Sequence, residues 1–398
     1  MSRSTPPAVV ILIDAFRSDF LTDELTPNLA KIANNSFLAP LRPILGYSDS
    51  IRAVAFTGRY PDETGYWMEY CYRPSQSPWR GFHRLAALDR LPAGTLTRAT
   101  RLASSMTALK AAARLKGLPS LEMRNMPFRA ADRFDFTLAV PMTAPNAMGC
   151  PSFFDSCVAS GSSWVYLDAS KHRRSANLLR EVREVPEDTG LIFVYLHQID
   201  MAAHLFGIEA PVFWRRVQAT DRLLGSVMTE LSKRFGDFSP LIFSDHGMSQ
   251  LRNQYSLQDL VLHPAFPERF FMALDATMVR LWFFDDDEAL RQEIRDRVAS
   301  RYPGRFLTSS DLDKFHLRFE DRLYGDEIYL LEPGIGIFPN YHSYIKPKAM
   351  HAYDPGDPDQ LGICVAPYSV APAGPGPVEM PAVHSVVMAM LAERGLSS

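Results

Sequence analysis

Seven residues with metal-ligand or nucleophile chemistry recur close behind hydrophobic runs of this chain. They are Asp14 after VVILI, Asp200 and His204 after LIFVYLHQI, Asp245 and His246 after PLIFS, His351 in KAMHAYDP, and Ser48, ten residues before Gly58. Carboxylates offer oxygen and imidazoles offer nitrogen to divalent cations, and a metal can hold a serine as alkoxide at neutral pH. The set contains what a two-metal phosphoryl-transfer site needs, and it predicts a metal-dependent hydrolase of phosphate esters.

The composition restricts the class of partner. The 398 residues include 42 Lys plus Arg and 45 Asp plus Glu, with no block of like charge. This balance argues against a dedicated surface for a nucleic acid polymer or a membrane. No apolar stretch is long enough for a spanning helix, and the start MSRSTPPAVVILIDAF lacks the pattern of a signal peptide. The four cysteines are scattered without CxxC spacing and are expected to be reduced thiols, so we expect a cytoplasmic protein. Because the charge balance argues against a polymer or a membrane, we expect a small-molecule substrate.

Short β-branched runs alternate with helical patterns along the chain. The patterns predict strands at 8–13, 163–168, 190–196 and 240–244, and helices at 26–35, 48–57, 152–160, 172–184, 212–235 and 381–394. This alternation favours an α/β fold with a mostly parallel central sheet and helices on both faces. In such sheets ligands bind beyond the carboxyl ends of the strands. Asp14, Asp200 and Asp245 each fall at such an end.

Two segments interrupt the alternation. Residues 61–151 are rich in Pro, Trp, Tyr and Arg and then in Ala and Leu with a helical pattern, and residues 269–348 hold an acidic turn and a Gly/Pro/aromatic loop. We interpret both as insertions that form a cap over the strand ends, with the catalytic core at 1–60, 152–268 and 349–398. The alternative is that they extend the sheet and its helices.

The motifs around these residues resemble those of the alkaline phosphatase superfamily, in particular its nucleotide pyrophosphatase/phosphodiesterase branch. The segments that carry the resemblance are IDAFRSDF, FTGRYPDETG, DMAAHLFG and FSDHGM, in that order. The resemblance implies that Asp14, Ser48, Asp245 and His246 surround one metal, and that Asp200, His204 and His351 hold the other. It implies two divalent ions, zinc first, with manganese or iron as alternatives for the same ligands. Ser48 would attack phosphorus and form a phosphoseryl intermediate that water hydrolyses.

The expected helices suit these roles. Asp200 and His204 lie one turn apart on one helical face, so that they can share an ion. Ser48 at the start of a helix would place the phosphate near backbone N–H groups and the positive end of the helix dipole.

The sequence departs from the family pattern beside the nucleophile. The phosphodiesterase branch has Asn three residues after the nucleophile, where this chain has Ile51, and Arg52 follows on the face of Ser48. A guanidinium there could bind phosphate and would favour a monoester dianion. The alternative is a salt bridge of Arg52 with Asp49 or Asp19.

Two further assignments stay open. Ser50 is a rival nucleophile, and it also stands where a sulfatase needs proline, which disfavours that activity. Phe16 and Tyr47 flank Asp14 and Ser48 and are candidate substrate contacts. Aromatic residues of the first insertion could stack on a nucleobase or form local core; these are Trp67, Tyr70, Tyr72 and Trp79. His197 is a candidate core or substrate-contacting histidine, whereas the histidines without ligand spacing default to surface or core: His83, His172, His263, His316, His342 and His384.

The favoured activity is cleavage of a phosphodiester or pyrophosphate bond in a small nucleotide-like or nucleotide-sugar-like substrate. A phosphomonoesterase on the same scaffold is the first alternative, and Arg52 favours it. A phosphoryl transferase is the second. A catalytically inactive binding protein is the least favoured, because all seven site residues are chemically competent.

Overall fold

The structure, a computed structural model, describes residues 6–91, 126–138, 140–172, 174–343 and 345–396. Its strands are β1 (Ala8–Ile13), β2 (Phe37–Arg42), β3 (Tyr70–Tyr72), β4 (Phe134–Phe136), β5 (Ser163–Asp168), β6 (Thr189–Leu196), β7 (Leu241–Phe243), β8 (Ser249–Gln250), β9 (Asn253–Tyr255), β10 (Phe270–Leu274), β11 (Met278–Phe283), β12 (Gly304–Phe306), β13 (Glu327–Leu331), β14 (Ile335–Ile337), β15 (Ala349–Met350), β16 (Gly362–Ala366) and β17 (Val378–Glu379).

The described α-helices are α1 (Pro27–Ala33), α2 (Ser48–Thr57), α3 (Pro61–Thr64), α4 (Phe128–Ala131), α5 (Phe153–Ala159), α6 (Ser175–Glu184), α7 (Gln198–Phe206), α8 (Pro211–Phe235), α9 (Gln258–Val261), α10 (Glu288–Ala299), α11 (Ser309–Lys314) and α12 (Ala382–Ala392). Short 3-10 turns cover Ser18–Phe20, Phe82–Arg90, Ala169–Lys171, Pro358–Gln360 and Tyr368–Val370. Within this described part, no helix is both long and apolar enough to cross a membrane.

A seven-stranded sheet forms the centre of the molecule, in the order β17-β2-β16-β7-β1-β6-β5. Six of these strands run in one direction, and β16 runs against its neighbours β2 and β7. The predicted mostly parallel α/β sheet is therefore confirmed, as are the four predicted strands and six predicted helices to within a few residues.

Both faces of this sheet are covered. In β1, Ala8, Val10 and Leu12 pack with α2, α5 and α12, whereas Val9, Ile11 and Ile13 pack with α1, α6, α7 and α8. Since successive side chains of a strand point to opposite faces, a strand buried on both sides reads as a continuous apolar run. The strand β1 is therefore visible in the sequence as the uninterrupted apolar run VVILI.

The segments that interrupt the alternation pack against each other. Strands β10-β11-β13-β12 form a separate antiparallel sheet, and the β3–β4 pair joins it through a shared aromatic core that includes Tyr70, Phe134, Phe271 and Trp282. We call the β3–β4 pair and this four-stranded sheet, with the loop that follows β14, the second lobe. The Ala- and Leu-rich helical segment expected in 61–151 lies largely outside the described residues, and the cap boundaries remain a proposal.

Three strands of the central sheet are absent from the sequence prediction. Strand β2 has the sequence FLAPLR, whose proline is atypical of a strand, and β17 has only two residues. Strand β16, GICVA, is a short apolar run without a crossover helix to mark it. All three lie on one side of the sheet, beyond β7.

Candidate active site

Three neighbouring strands bring the acidic residues together. Asp14 follows β1 directly, Asp245 follows β7 after one residue, and Asp200 lies in the first turn of α7, which begins just after β6. Because β7, β1 and β6 are adjacent and parallel, their carboxyl ends meet at one edge of the sheet. The same edge receives Ser48, at the start of α2.

Asp14, Asp245 and His246 form a candidate metal-ligand group, which we call the first ligand group. Each offers one ligand atom, and these atoms lie within 4.8 Å of one another. All three side chains are buried, with His246 Nε2 3.3 Å from Asp14 Oδ1 and 3.7 Å from Asp245 Oδ2. The Tyr195 hydroxyl donates to Asp14 Oδ2, which leaves Oδ1 facing the histidine.

Asp200, His204 and His351 form the second ligand group, again with ligand atoms within 4.8 Å. One turn of α7 separates Asp200 and His204, and His204 Nε2 lies 3.0 Å from Asp200 Oδ1. His351 comes from the loop after β15, and its Nε2 lies 4.0 Å from the same oxygen. These are the two groups that the family resemblance implies.

Backbone carbonyls fix the orientation of two of the imidazoles. His246 Nδ1 lies 2.8 Å from the Gly247 carbonyl oxygen, and His204 Nδ1 lies 2.8 Å from that of Ala349. A ring whose Nδ1–H donates to a carbonyl presents Nε2 as its free lone pair, which is the usual arrangement of a metal-ligating histidine.

The donor set fits divalent cations. Four buried polar atoms at this edge have no hydrogen-bond partner among the described residues: Asp14 Oδ1, Asp200 Oδ1, Asp245 Oδ2 and His351 Nδ1. Three are carboxylate oxygens that face the other ligand atoms. Buried carboxylates without partners are energetically costly, and a cation between them would remove that cost. Mixed oxygen and nitrogen ligands suit zinc, manganese or iron.

Burial and mutual charge interactions shift the pKa values of these groups. Burial and the nearby Asp14 carboxylate raise the pKa of Asp245 to about 7. Burial alone would lower the pKa of His246, but Asp245 and Asp14 outweigh it and raise that pKa to about 10. Burial and the neighbouring imidazoles of His246 and His204 hold the pKa of His351 well below its usual value. The neutral form of His351 is the one that binds metals.

Ser48 is the first residue of α2 and faces the first ligand group. Its Oγ lies 3.0 Å from His246 Nε2. Tyr47 is the N-cap residue of α2 and makes no side-chain cap, so it leaves the first backbone N–H groups of this helix uncapped. In contrast, Ser50 is buried and its Oγ donates to the Tyr47 carbonyl oxygen at 2.7 Å. The geometry favours Ser48 over Ser50 as the nucleophile.

Arg52 lines the cleft but is paired. Its guanidinium donates to Asp49 Oδ1 and lies over the ring of Tyr195, 5.0 Å from the centroid. Of the two salt-bridge partners considered from the sequence, the structure has Asp49; Asp19 pairs with Arg17 instead. The Arg52 charge is therefore partly neutralised before any phosphate arrives.

The candidate substrate contacts differ in position. Tyr47 lines the cleft, stacks on His342 with centroids 5.7 Å apart, and lies 3.0 Å from Thr277 Oγ1 through its hydroxyl. Phe16 does not line it: its ring is buried edge-on against Phe20 in the core behind the sheet. The structure gives Phe16 a packing position, and the substrate contact expected there stays a prediction.

The aromatic residues of the first insertion are mainly core. Trp67 and Trp79 are fully buried, Tyr70 nearly so, and Tyr72 packs on Trp282. Of these, Trp67 borders the cleft, although its Nε1 donates to the Leu45 carbonyl oxygen at 2.6 Å. The local-core alternative describes them better than stacking on a nucleobase.

Sequence reasoning missed His342 as a residue of the site. It lines the cleft from the second lobe, with Nε2 2.7 Å from Asp275 Oδ1 and Nδ1 3.7 Å from Glu69 Oε2. Asp275 also binds Arg280 through two buried hydrogen bonds. The only signal in the sequence is the aromatic context NYHSYI, which does not specify a neighbour.

One cleft of about 1020 Å³ lies between the sheet edge and the second lobe. It is lined by Ser48, Tyr47, Arg52 and His342 and by four of the six ligand-group residues, namely Asp14, Asp200, His204 and His351. The family model for type I phosphodiesterases/nucleotide pyrophosphatases matches residues 8–297. The chain belongs to this family. It is thus a hydrolase of the phosphodiesterase/nucleotide pyrophosphatase kind and a member of the alkaline phosphatase superfamily, in which metal dependence is general.

Solved structures of the family share the fold. Murine ectonucleotide pyrophosphatase/phosphodiesterase 5 is similar to this chain with a TM-score of 0.67 and 14% identity, over 97% of this chain and 95% of that one. An inactive variant of the murine protein in complex with AMP gives the same values. The human counterpart has 15% identity at the same TM-score and coverage. No curated protein matches the sequence.

Proposed function

We propose that this phosphodiesterase uses two divalent metal ions to cleave a phosphodiester or pyrophosphate bond of a small nucleotide-like or nucleotide-sugar-like molecule, through a phosphoseryl intermediate. One observation carries the proposal: Ser48 Oγ lies 3.0 Å from a ligand atom of the first group, beside a second group of three ligands. The metal ions are proposed to be zinc, with manganese or iron as alternatives.

Each group of side chains has a defined part in this proposal. Asp14, Asp245 and His246 would hold one ion, and Asp200, His204 and His351 the other. When bound, such ions neutralise phosphate charge and lower the pKa of a coordinated hydroxyl. The first backbone N–H groups of α2, which the N-cap residue Tyr47 does not cap, would donate to a phosphate beside Ser48, as helix N-termini commonly do in anion sites.

The chemistry proceeds in two displacements. In the first, Ser48 Oγ forms a bond to phosphorus while the bond from phosphorus to the leaving oxygen breaks, and the serine proton is lost to the medium. In the second, water attacks the same phosphorus, and the bond to Ser48 Oγ breaks to regenerate the hydroxyl. Tyr195 holds Asp14 in place during both steps by donating to its Oδ2.

The size of the cleft supports a small-molecule substrate. A volume of about 1020 Å³ accommodates a molecule with a leaving group on each side of a phosphate. The murine relative binds AMP, which is a nucleotide of this size class. We propose a nucleotide-like compound for the present chain on the same grounds.

The monoesterase alternative depends on Arg52. A free guanidinium beside Ser48 would favour a phosphate dianion. Since Arg52 is paired with Asp49, this preference is weakened, and the diester proposal is the stronger one.

Turnover and metal content test the proposal together. The purified protein is supplied with zinc or manganese and assayed on p-nitrophenyl phosphate, bis(p-nitrophenyl) phosphate and a nucleoside 5′-(p-nitrophenyl phosphate). We expect bound metal by elemental analysis and faster release from the two diesters. Faster release from the monoester would replace the diesterase proposal with a phosphatase, and activity unaffected by chelation would refute the two-metal site.

A further inference from the structure

We propose that a second cavity, next to the metal-ligand cleft, binds an anionic group attached to an apolar body. Its volume is about 400 Å³. Its walls come from the turn after β5, from α6, from the outer side of α7 and from α8. Neither the family match nor the two ligand groups assigns this place.

The cavity adjoins the cleft across α7. Ser170 and His197 line both spaces at one end of this helix, and Met201 and Leu205 line both along its length. Asp200 belongs to the same helix and to the second ligand group. A molecule whose phosphate lies at the ligand groups can therefore extend over Met201 and Leu205 into the cavity.

Two arginines make the cavity cationic. Arg174, before α6, and Arg216, in α8, line it, and neither has an ion-pair partner among the described residues. His172 also lines it, and its Nε2 lies 3.0 Å from Glu181 Oε2. Two guanidiniums that line one cavity and have no carboxylate partner among the described residues suit an anionic ligand.

The start of α6 adds to this anion preference. Arg174 is the N-cap residue of this ten-residue helix and forms no side-chain cap, and Ser175 at its first position lines the cavity. Uncapped N–H groups and the positive end of the helix dipole favour an anion. His197 Nδ1 is a buried polar atom without a partner among the described residues, and its side chain lines the same space.

The remaining wall is apolar and partly open. Met201, Leu205 and Phe206 are 51%, 40% and 49% exposed, and behind them Leu178 and Leu223 form a buried floor. Three large apolar side chains together at the rim of a basic cavity suit a ligand that has an apolar or aromatic portion next to its charge. Free inorganic phosphate would satisfy the arginines but leave this surface exposed.

The inference concerns the substrate of the proposed reaction and rests on that function. The reacting phosphate lies at the two ligand groups, and a second anion on the same molecule, a phosphate or a carboxylate, lies at Arg174 and Arg216. The class of substrate is thus a phosphodiester or pyrophosphate that carries a further anionic group on an apolar or aromatic linker.

Direct binding tests the cavity without any turnover. The probe is 8-anilinonaphthalene-1-sulfonate, an aromatic sulfonate whose fluorescence rises in apolar surroundings, titrated into the metal-loaded full chain. We expect Arg216→Ala to weaken binding by about tenfold or more, the effect of losing one charge-assisted contact. The control is Arg215→Ala, which alters the neighbouring exposed arginine of α8 outside the cavity. Equal affinity in the wild type and Arg216→Ala would overturn the proposal.

Kinetics then test whether the cavity serves the substrate. Thymidine 5′-(p-nitrophenyl phosphate) is compared with the same ester bearing a 3′-phosphate. We expect the added phosphate to lower KM in the wild type and in Arg215→Ala, and to give no such advantage in Arg216→Ala. An advantage that survives Arg216→Ala, or its absence from the wild type, would overturn the bridging substrate. If neither ester is hydrolysed the proposed function fails, while the binding titration still decides whether the cavity exists as an anion site.

Discussion

At the scale of single residues, the site concentrates charge that the protein alone does not balance. Asp14 and Asp245 are both fully buried, and each keeps one oxygen without a hydrogen-bond partner. Two carboxylates in such a place destabilise the folded chain unless a cation joins them. We therefore expect these two residues to affect both the catalytic activity and the stability of the folded chain.

The Ser48 hydroxyl is predicted to be indispensable for turnover. Ser48→Ala should lower kcat on a diester by about 10³-fold or more, the scale seen when a nucleophile is removed. Metal content and melting temperature should stay at the wild-type level, because the side chain is at the cleft surface. The matched control is Ser50→Ala, which loses one buried hydrogen bond, costs about 1 kcal/mol and keeps activity. An active Ser48→Ala enzyme would refute the covalent route.

The Asp245 carboxylate is predicted to destabilise the metal-free chain and to stabilise the metal-loaded one. In chelator, Asp245→Asn should melt at or above the wild-type temperature, since it removes one uncompensated buried charge. With zinc at a hundredfold excess over its dissociation constant, the wild type should gain about 2.7 kcal/mol per site and the variant much less. Differential scanning calorimetry gives both values, with the exposed Asp237→Asn as control. Equal gains in both proteins would argue against Asp245 as a ligand.

At the scale of elements, helix α2 is held at both of its ends. Its first turn presents Ser48, and its last turn ends at Gly58, which has φ +69° and donates its N–H to the Val54 carbonyl oxygen at 2.8 Å. A Cβ at Gly58 would come within 2.9 Å of His384 Nδ1, in α12. The spacing from Ser48 to Gly58 in the sequence is therefore the length of one capped helix.

Gly58→Ala is predicted to loosen this helix. The left-handed conformation costs a non-glycine residue about 1 kcal/mol, and contact with His384 adds to that. Gly65→Ala is the matched control, because Gly65 also has φ +69° at a helix end but meets no atom within 4 Å. Urea unfolding should show a larger loss for Gly58→Ala, and His384→Ala should recover part of it. Equal losses for the two glycines would show that the contact with α12 is unimportant.

At the scale of the whole molecule, a polar network connects the second lobe to the nucleophile helix. Asp275 binds Arg280 and His342, and His342 stacks on Tyr47, the residue before Ser48. The Tyr47 hydroxyl accepts from the Thr277 backbone N–H at 3.1 Å. Through these contacts the lobe positions the start of α2.

His342 is predicted to make stability depend on pH. Burial would lower its pKa, but Asp275 and Glu69 raise it above the usual value. A raised folded-state pKa contributes stability that is complete below about pH 6.5 and is lost as the pH rises through the folded value. The melting temperature of His342→Gln should therefore lie further below the wild type at pH 6 than at pH 9. A difference that does not change with pH would show that the histidine contributes by packing alone.

The sequence by itself determined the central architecture and the candidate ligands. Runs such as VVILI and LIFVYL can be recognised as strands because a strand buried on both faces consists of apolar residues. The acidic residues that follow them mark the carboxyl ends of the strands. The helix at 48–57 is bounded by local signals, and its observed limits, Ser48–Thr57, are those predicted. Local periodicity and chain order suffice for such features, since both depend on near neighbours.

Only the tertiary structure decided which distant side chains meet. It paired Arg52 with Asp49, placed Phe16 in the core, brought His342 from the second lobe to Tyr47, and left Arg174 and Arg216 together in one cavity. Strand β16, which is antiparallel to both of its neighbours, likewise has no local sequence signal that predicts its position or direction. These outcomes depend on contacts between residues far apart in the chain. The conformational entropy lost in bringing such residues together is offset only when the complete fold has formed.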